Sequence, residues 1–142
     1  MYTKIKCMPE GFNAKNWPGV IHIDYDCERI GSVWAQERYE AGWKLNPWNL
    51  LRFIFSKKAR IKMELMGHEV EVQTAALFYG RNAKIVRFAE AHALITAYDD
   101  FDEFNNVDEV VVAMEKLKPE AERWVDDHHQ EILDFMDRAN MT

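Results

Sequence analysis

The residues best able to do chemistry are His68 and the glutamates close to it. Glu64 lies four residues before His68, and Glu69 and Glu71 follow it. Residues four apart share one face of a helix, so Glu64 and His68 could hold one metal ion or act as base and acid. Val72 stands where a second histidine would complete the usual helical metal motif, and a third ligand would still be needed. A hydrogen-bonded polar patch without a metal is therefore the simpler interpretation.

His92 offers the one route to a third helical ligand. The predicted apolar face of its helix comprises Ile85, Phe88, Ala89, His92 and Ile95. If that helix packs antiparallel to the helix of His68, then His92 could approach His68 or Glu64. A conditional metal site would contain Glu64, His68, Glu69 and His92. A lone histidine on an apolar face is more often a core or interface residue, and we predict no metal and no other cofactor.

Two acidic segments nearer the C-terminus suggest metal sites that their spacing does not support. His128 and His129 are adjacent, and consecutive residues point about 100° apart on a helix, so the two do not easily face one ion. The loop at 99–103 carries several acids but lacks the glycine that a calcium loop requires. Its aromatic residues, Phe101 and Phe104, predict as an alternative a pair of anchors for a partner protein.

Other catalytic signatures are missing from the sequence. It contains no glycine-rich phosphate loop, no serine nucleophile elbow and no recognisable pairing of cysteine with histidine. Cys7 and Cys27 match no zinc spacing. Both fall in predicted strands, where we expect two reduced structural cysteines. A disulfide formed in an oxidising environment is the alternative.

The elements that must position these residues are mainly α-helical, with a minor β component. Residues 1–26 are predicted to form a two-stranded β ribbon, because 4–8 and 20–25 alternate between apolar and polar residues. Two strands alone are marginal in water, so the ribbon must pack on helices. Residues 27–142 have helical periodicity, and the whole chain, 1–142, is predicted to be one domain.

Turn and capping residues divide the helical part. Asn46 and Ser56 are predicted N-caps, Gly80 is a left-handed terminator, and Asn106 caps a further helix. Pro119 is expected to break the chain and open the last helix. The predicted helices are 28–45, 48–55, 57–79, 83–97, 107–117 and one that begins at Pro119.

An aromatic segment between two of these helices is the predicted interface. Trp48, Phe53 and Phe55 lie in a short helix that is apolar on nearly all sides. Such a helix is either completely buried or part of an interface. Lys57 and Lys58 would form a basic rim around the contact.

Charge is distributed unevenly along the chain. The net charge is −6, but residues 41–97 carry +5 and residues 98–142 carry −10. The basic and acidic surfaces could dock on each other within the chain or between subunits, although two solvated faces are the simpler interpretation. Overall acidity argues against nucleic-acid binding, while the basic residues of 52–87 leave a local contact open.

Hydropathy gives no indication of a membrane protein. No apolar run approaches the roughly 20 residues that a membrane-spanning helix needs. The first residues lack the apolar core of a signal peptide. We therefore expect a cytoplasmic protein without a membrane partner.

The layout of residues 19–76 resembles that of small phage and bacterial zincin-like metallopeptidase proteins. In that family a short strand precedes a helix with His-Glu-x-x-His and then Val-x-Gln, followed by a basic aromatic connector and a helix with a glutamate ligand. Here the corresponding segments are GVIHIDYD, then ERIGSVWAQERYEAGW with Gln36 at the glutamine, then LLRFIFSKKARIKMELMGHEVEVQTAA.

This sequence departs from the family at the catalytic positions. The places of the two histidines hold Val33 and Arg29, and the place of the catalytic glutamate holds Ile30. None of these side chains ligates zinc or acts as the base. Of the family's site residues, only the later glutamate, at Glu69 or Glu71, could carry over. The resemblance thus implies a zincin-like scaffold without its catalysis, and a phage origin.

Taken together, these features favour a non-enzymatic, phage-encoded protein that contacts other proteins, either as a minor virion component, as a binder of a host protein or as a homo-oligomer. The first alternative is a zincin-like metal-dependent hydrolase that uses His68, Glu64 or Glu69, and His92. The second alternative is a nucleic-acid binder that uses residues 52–87.

Overall fold

The computed structural model describes residues 1–140, which form six helices and one small sheet. The predicted class, mainly α with minor β, is confirmed. The strands are β1 (Tyr2–Lys6), β2 (Ala14–Trp17) and β3 (Val20–Asp24), and the helices are α1 (Ile30–Lys44), α2 (Pro47–Phe55), α3 (Lys57–Tyr79), α4 (Ala83–Ala97), α5 (Val107–Asp127) and α6 (His129–Asn140). A 3₁₀ turn, Asp99–Glu103, joins α4 to α5.

The N-terminal sheet has three strands where the sequence predicted two. Their order is β1-β3-β2, with β1 parallel and β2 antiparallel to β3. The unpredicted strand, β2, has the sequence AKNW, which lacks the β-branched alternation used to recognise strands. Ile21 and Ile23 of β3 are buried. Trp34 of α1 donates its indole N–H to Thr3 Oγ1 at 3.0 Å, which fixes the sheet against α1.

Capping residues explain most of the helix boundaries. Asn46, Ser56, Asn82 and Asn106 each accept a backbone N–H from the first turn of the helix that follows. Gly80 ends α3 in a left-handed conformation with φ 63°, as its sequence position predicts.

The break expected at Pro119 does not occur. α5 continues through Pro119, and the chain turns at His128 instead. Proline lacks an N–H, so one helical hydrogen bond is missing there. The residues of α5 that are buried on both sides of the proline are Val110, Met114, Ala121 and Val125. Burial of this continuous stripe outweighs the local cost of the proline.

The two cysteines lie outside the strands in which the sequence analysis placed them. Cys7 directly follows β1, and Cys27 precedes α1. Both are free thiols with respect to the described residues, 1–140. Burial raises the pKa of the Cys27 thiol to about 11, so this thiol is protonated at neutral pH.

The central helix of the fold is α3. It contacts α1, α4 and α5, and two clusters of buried apolar residues lie on its two sides. Met66 and Val70 belong to the cluster shared with α1 and the sheet. Leu65 and Val72 belong to the cluster shared with α4 and α5. Because α3 is packed against helices on both sides, its buried polar residues must find partners inside the protein.

One such residue, Glu69, forms a buried ion pair with α4. Arg87 donates from Nε and from a terminal nitrogen to the two carboxylate oxygens of Glu69, at 2.8 and 2.7 Å. Gln73 also donates to Glu69, at 2.7 Å. Glu69 is 0% exposed and Arg87 is 5% exposed. The two-pronged pairing neutralises both charges, which makes their burial tolerable.

This pair explains why α4 turns a different face inward from the predicted one. Ile85 and Phe88, expected in the core, are mainly exposed, and His92 is exposed as well. The residues that α4 buries are Val86, Arg87, Ala91 and Leu94. Apolar residues recur at helical spacing on two faces of α4. The pairing of Arg87 with Glu69 favours burial of the face that carries Val86, Ala91 and Leu94.

Replacing Arg87 with methionine should lower the free energy of unfolding by about 3 kcal/mol, because Glu69 would keep its buried charge without its cationic partner. Urea denaturation followed by circular dichroism measures the change. Arg81→Met is a matched control, since Arg81 and Glu28 lie 3.8 Å apart with largely exposed side chains. The control should cost at most about 0.5 kcal/mol. Equal losses in the two variants would contradict the role given to the buried pair.

Candidate metal centre

One polar stripe of α3 faces the interior between α1 and α4. Glu64, His68 and Glu71 follow one another at steps of four and three residues, which places them on one helix face. His68 and Glu71 are buried, whereas Glu64 is partly exposed. The residues that neighbouring helices bring to this stripe are Gln36, Glu37 and Glu40 of α1 and Glu90 of α4.

His68, Glu71 and Glu90, here called the His68 centre, have the spacing of metal ligands. One ligand atom from each of the three lies within 4.8 Å of the other two. His68 Nδ1 is 2.5 Å from Glu90 Oε2. The other ring nitrogen, Nε2, is 3.1 Å from the side-chain nitrogen of Gln36 and 3.7 Å from Glu64 Oε2. One imidazole and two carboxylates so placed form a donor set that a divalent cation accepts.

Glu37 and Glu40 extend the carboxylate cluster along α1. Asn16 of β2 donates its amide to Glu37 and, at 3.0 Å, to Glu40 Oε2. Lys44 Nζ donates in turn to Asn16 Oδ1 at 2.9 Å. Glu40 is only 3% exposed, and no N–H donor among residues 1–140 reaches its Oε1. A hydrogen bond between the Glu40 and Glu64 carboxyl groups contributes to the raised pKa of Glu40. A buried carboxylate oxygen left in this way is costly and calls for a functional explanation.

Gly67 makes room for the carboxylate of Glu40. An ideal Cβ on Gly67 would lie 2.9 Å from Glu40 Oε1 and 3.2 Å from both Cγ and Cδ. Any larger residue at this position would push the glutamate away. The glycine therefore lets the Glu40 carboxylate lie against α3, in the turn between Glu64 and His68.

Burial and mutual repulsion control the pKa values of the cluster. Burial raises the pKa of Glu37, Glu40 and Glu71 above the usual value, and neighbouring carboxylates raise all three further. For His68, burial favours the neutral ring, but the hydrogen bond and charge of Glu90 outweigh it and raise the pKa to about 9. For Glu90, burial opposes ionisation, but the interaction with His68 is stronger and lowers the pKa.

Arg29 supplies further positive charge at the start of α1. Its charge favours the ionised forms of Glu71 and Glu90. Its Nε is buried and has no hydrogen-bond partner within the described part of the chain. Its backbone is left-handed, with φ 51°, which costs a non-glycine residue about 1 kcal/mol. Even with Arg29 and Lys44 nearby, the cluster holds more carboxyl groups than cations.

Two cavities border the cluster. The first, of about 480 Å³, is lined by the His68 centre and by the exposed Phe12 and Asn13. The second, of about 310 Å³, is lined by Glu37, Glu40, Glu64, Lys15 and Lys44 among others. Ala14, Gln36, Glu37 and Tyr98 belong to both linings. Small molecules or ions can therefore approach both parts of the cluster.

Only part of the conditional metal set from the sequence is brought together. Glu64 and His68 are neighbours as expected, but Glu69 is occupied by Arg87, and His92 is exposed. Glu71 replaces Glu69, because the helical step of three from His68 puts it on the inner face. Glu90 could be identified only once the inward face of α4 was known.

The C-terminal histidines are held by aromatic rings and carbonyl groups. The ring of His128 stacks on Trp124 at 3.9 Å, and its Nδ1 lies 2.7 Å from the Trp124 carbonyl oxygen. The ring of His129 lies 4.9 Å from Phe78. Within residues 1–140, the His68 centre is the one group of three side chains with metal-ligand spacing.

The predicted interface residues of α2 are exposed, with one exception. Trp48 is 67% exposed and Phe55 is 82% exposed, and Lys58 is exposed beside them. Phe53 is half-buried, with Lys44 Nζ 4.6 Å from the centre of its ring. None of the nine residues of α2 is buried.

The aromatic anchors predicted in the acidic turn belong to the core instead. Phe101 is buried and stacks on the half-buried Phe104, with ring centres 5.5 Å apart. The acidic residues around them bind the start of α3, through Lys57–Asp102 at 2.6 Å and Arg60–Asp100 at 2.8 Å. Basic and acidic segments of the chain therefore dock on each other here, and these cations are already paired.

Comparisons with known proteins offer no assignment, since no family model, curated protein or solved structure matches the chain significantly. None of the helices in residues 1–140 has the length and apolar character needed to cross a bilayer. The interpretation of the cluster therefore depends on its own geometry and charge.

Glu40→Gln should stabilise the metal-free protein. Burial raises the pKa of Glu40, so the folded state holds this proton more tightly than the unfolded state does. The resulting stability is complete below the unfolded pKa and is lost as the pH rises through the folded pKa. The variant should therefore gain about 1 kcal/mol near pH 8, from removal of the buried carboxyl, and less near pH 5.

Urea denaturation of the metal-free protein at the two pH values measures this gain. Glu10→Gln is the control, because Glu10 is exposed, and it should change stability at neither pH. A lower stability of Glu40→Gln than of the natural protein at the higher pH would show that the Glu40 carboxylate is well paired after all.

Proposed function

We propose that this protein binds a divalent cation at the His68 centre and uses it to activate water for hydrolysis. The observation that carries the proposal is the placement of three ligand atoms, from His68, Glu71 and Glu90, within 4.8 Å of one another beside a cavity of about 480 Å³. The ligands come from α3 and α4, which the buried pair Glu69–Arg87 also joins. The helices therefore support the ligand geometry before a cation arrives.

The donor set favours a cation that accepts both imidazole and carboxylate. Mn²⁺, Fe²⁺ and Zn²⁺ all do so, and the surplus of carboxylates around the centre favours Mn²⁺. Gln36 contacts the ring nitrogen of His68 that does not face Glu90, at 3.1 Å. With a cation on Nδ1 this nitrogen would carry a proton, and the Gln36 amide would turn its oxygen to accept it; such an outer hydrogen bond orients a histidine ligand and fixes its ring.

Glu37 is the residue best placed to act as the general base. It lines both cavities, so it is accessible to a water molecule bound near the His68 centre. Burial raises its pKa above the usual value for glutamate, which makes its carboxylate a stronger base. Glu37 would take the proton of the water, and the hydroxide formed would bond to the acyl carbon or phosphorus of an ester in the larger cavity. The bond to the leaving oxygen would then break, and that oxygen would receive a proton.

Of the three hypotheses from the sequence, the metal-dependent hydrolase has the most structural support, because ligand atoms of His68, Glu71 and Glu90 converge. Its ligands lie on α3 and α4, not on α1, where the zincin-like layout would require them. At those α1 positions stand Arg29 and Val33. The zincin-like relationship and a phage origin stay predictions from the sequence layout.

Mn²⁺ should bind the purified, untagged protein and raise its melting temperature. Glu90→Gln should weaken this binding by about 100-fold, because one of the three ligands is lost. Isothermal titration calorimetry measures the affinity. A panel of chromogenic carboxylic and phosphate esters tests hydrolysis, which should require the cation. Glu10→Gln serves as the control and should bind normally. Unchanged affinity in both Glu90→Gln and His68→Ala would rule out the His68 centre.

We also propose that α2 docks against a second copy of this chain. A nine-residue helix is too short to be stable without burying an apolar face, yet Trp48 and Phe55 remain largely exposed. The basic Lys58 beside them matches the acidic charge of residues 98–142, which carry −10. This contact is compatible with hydrolysis, since α2 contributes no residue to the His68 centre.

Replacing Trp48 and Phe55 together with serine should convert an oligomer into a monomer without unfolding it, because neither side chain is buried within the chain. Sedimentation velocity over a range of concentrations measures association, and circular dichroism checks the fold. Val112→Ser, at an exposed position of α5, should leave association unchanged. A natural protein that is monomeric at every concentration would refute docking between copies.

A further inference from the structure

The larger cavity beside the His68 centre has an apolar part that the proposed hydrolysis does not use. Its polar lining consists of the His68 centre, Gln36, Glu37 and Asn13. The rest of the lining is small, apolar or aromatic and comprises Gly11, Phe12, Ala14, Val33, Ala97 and Tyr98. A cavity of this composition suits a ligand that has one polar and one apolar part.

Two aromatic rings of this lining, Phe12 and Tyr98, are here called the aromatic wall. Phe12 is 49% exposed and Tyr98 is 43% exposed. Phe12 lies in the connection between β1 and β2, and Tyr98 lies at the end of α4. Two separate parts of the chain thus direct large apolar surfaces to one cavity, where a ligand can cover them.

Phe12 is held in position although much of it is exposed. Gly11 has φ 89°, and the Phe12 N–H donates to the Pro9 carbonyl oxygen at 3.1 Å, which fixes the turn. Lys15 Nζ lies over the Phe12 ring, 4.3 Å from its centre, where the ring attracts a cation. The ring is therefore partly ordered before a ligand arrives, which lowers the entropic cost of binding.

Tyr98 is held in position by α4 and by two neighbouring rings. Ala97 follows Glu90 by seven residues, so the two share one face of α4, and Tyr98 comes next. The centre of the Tyr98 ring lies 6.5 Å from that of His68 and 6.3 Å from that of Phe101. Its hydroxyl forms no hydrogen bond within residues 1–140. The same helix thus carries one ligand of the His68 centre and one ring of the aromatic wall.

We infer that the substrate carries an aromatic ring, which lies against Phe12 and Tyr98 while its ester group lies at the His68 centre. Aromatic rings gain from edge-to-face or offset contacts with one another beyond the burial of apolar area. A flat ring should therefore bind here more tightly than a short alkyl group. The ester part of this inference rests on the proposed function, whereas the aromatic wall can be tested without it.

Saturation-transfer NMR of the metal-free full chain with benzyl alcohol tests the aromatic wall. The ring protons should receive saturation from the natural protein, and Phe12→Ala and Tyr98→Ala should each weaken binding about tenfold. Tyr98→Phe keeps the ring and should bind like the natural protein. Phe88→Ala is the matched control, because Phe88 is 53% exposed and lines neither cavity.

Two results would overturn the aromatic wall. One is the absence of saturation transfer to benzyl alcohol in the natural protein. The other is unchanged binding in a variant that combines Phe12→Ala with Tyr98→Ala. Circular dichroism confirms the fold of each variant, and Tyr98→Phe separates loss of the ring from loss of the hydroxyl.

Matched esters then test the substrate preference in the presence of Mn²⁺. Benzyl acetate and ethyl acetate differ in the ring, as do benzyl phosphate and ethyl phosphate, so the two pairs also distinguish carboxylic from phosphate esters. In the pair that is hydrolysed, kcat/KM should be about tenfold higher for the benzyl ester, mainly through a lower KM. Tyr98→Ala should remove this preference, and Tyr98→Phe and Phe88→Ala should retain it.

The outcomes separate this inference from the proposed function. Hydrolysis with equal kcat/KM for benzyl and ethyl esters would overturn the aromatic substrate and leave the hydrolase in place. Binding of benzyl alcohol at the aromatic wall, without hydrolysis of any of the four esters, would support the ring site and contradict the hydrolase.

Discussion

The burial of several carboxyl groups around one histidine is the constraint on which the rest of this structure depends. Taking an ionised carboxylate out of water is expensive unless a cation or several donors replace the water. Within the described residues, the cluster has a protonated His68, the amide of Asn16 and two more distant cations, Arg29 and Lys44. These are too few for the carboxyl groups of the cluster, and burial accordingly raises the pKa values of Glu40 and Glu71.

Such a cluster can persist only because the surrounding fold is stable without it. Two apolar clusters lie on opposite sides of α3 and hold α1, α4, α5 and α6 around it. The sheet contributes as well, because β2 carries Asn16 to Glu37 and Glu40. A cation that binds the folded state alone would add to this stability by mass action. The same buried carboxyl groups thus destabilise the protein without a ligand and would stabilise it when a cation binds.

The sequence predicts the elements well, because local chemistry sets them. Asn46, Ser56, Gly80 and Asn106 act at their helix ends as their residue types indicate. The helix break predicted at Pro119 is wrong, because burial of the long apolar stripe of α5 outweighs the local preference of proline for the start of a helix. The sequence does not predict β2, because AKNW has no strand pattern of its own and forms a strand only by pairing with β3.

The candidate site is only half predictable, for a related reason. Glu64 and His68 share a face by helical spacing alone, and Glu71 extends that face by one step. Which glutamate of α4 joins them depends on which face of α4 packs inward. That choice is set by Arg87 and Glu69, a pair separated in sequence and invisible in the periodicity. The position of Glu37 and Glu40 beside this site likewise follows only from the contact of α1 with α3, which the sequence alone does not predict.

The contrast between Glu69 and Glu40 argues that the unpaired carboxylates serve a ligand. Both are nearly fully buried, and both lie on helices that pack against α3 or belong to it. Glu69 receives a two-pronged arginine and an amide, so this chain does provide cations for a buried carboxylate where the structure alone requires them. Glu40 receives one amide, no arginine or lysine among residues 1–140 donates to it, its carboxyl shares a hydrogen bond with that of Glu64, and it borders a cavity. Among residues 1–140, the one carboxylate oxygen that is buried without a donor thus belongs to a residue that borders a cavity, where an incoming cation could reach it.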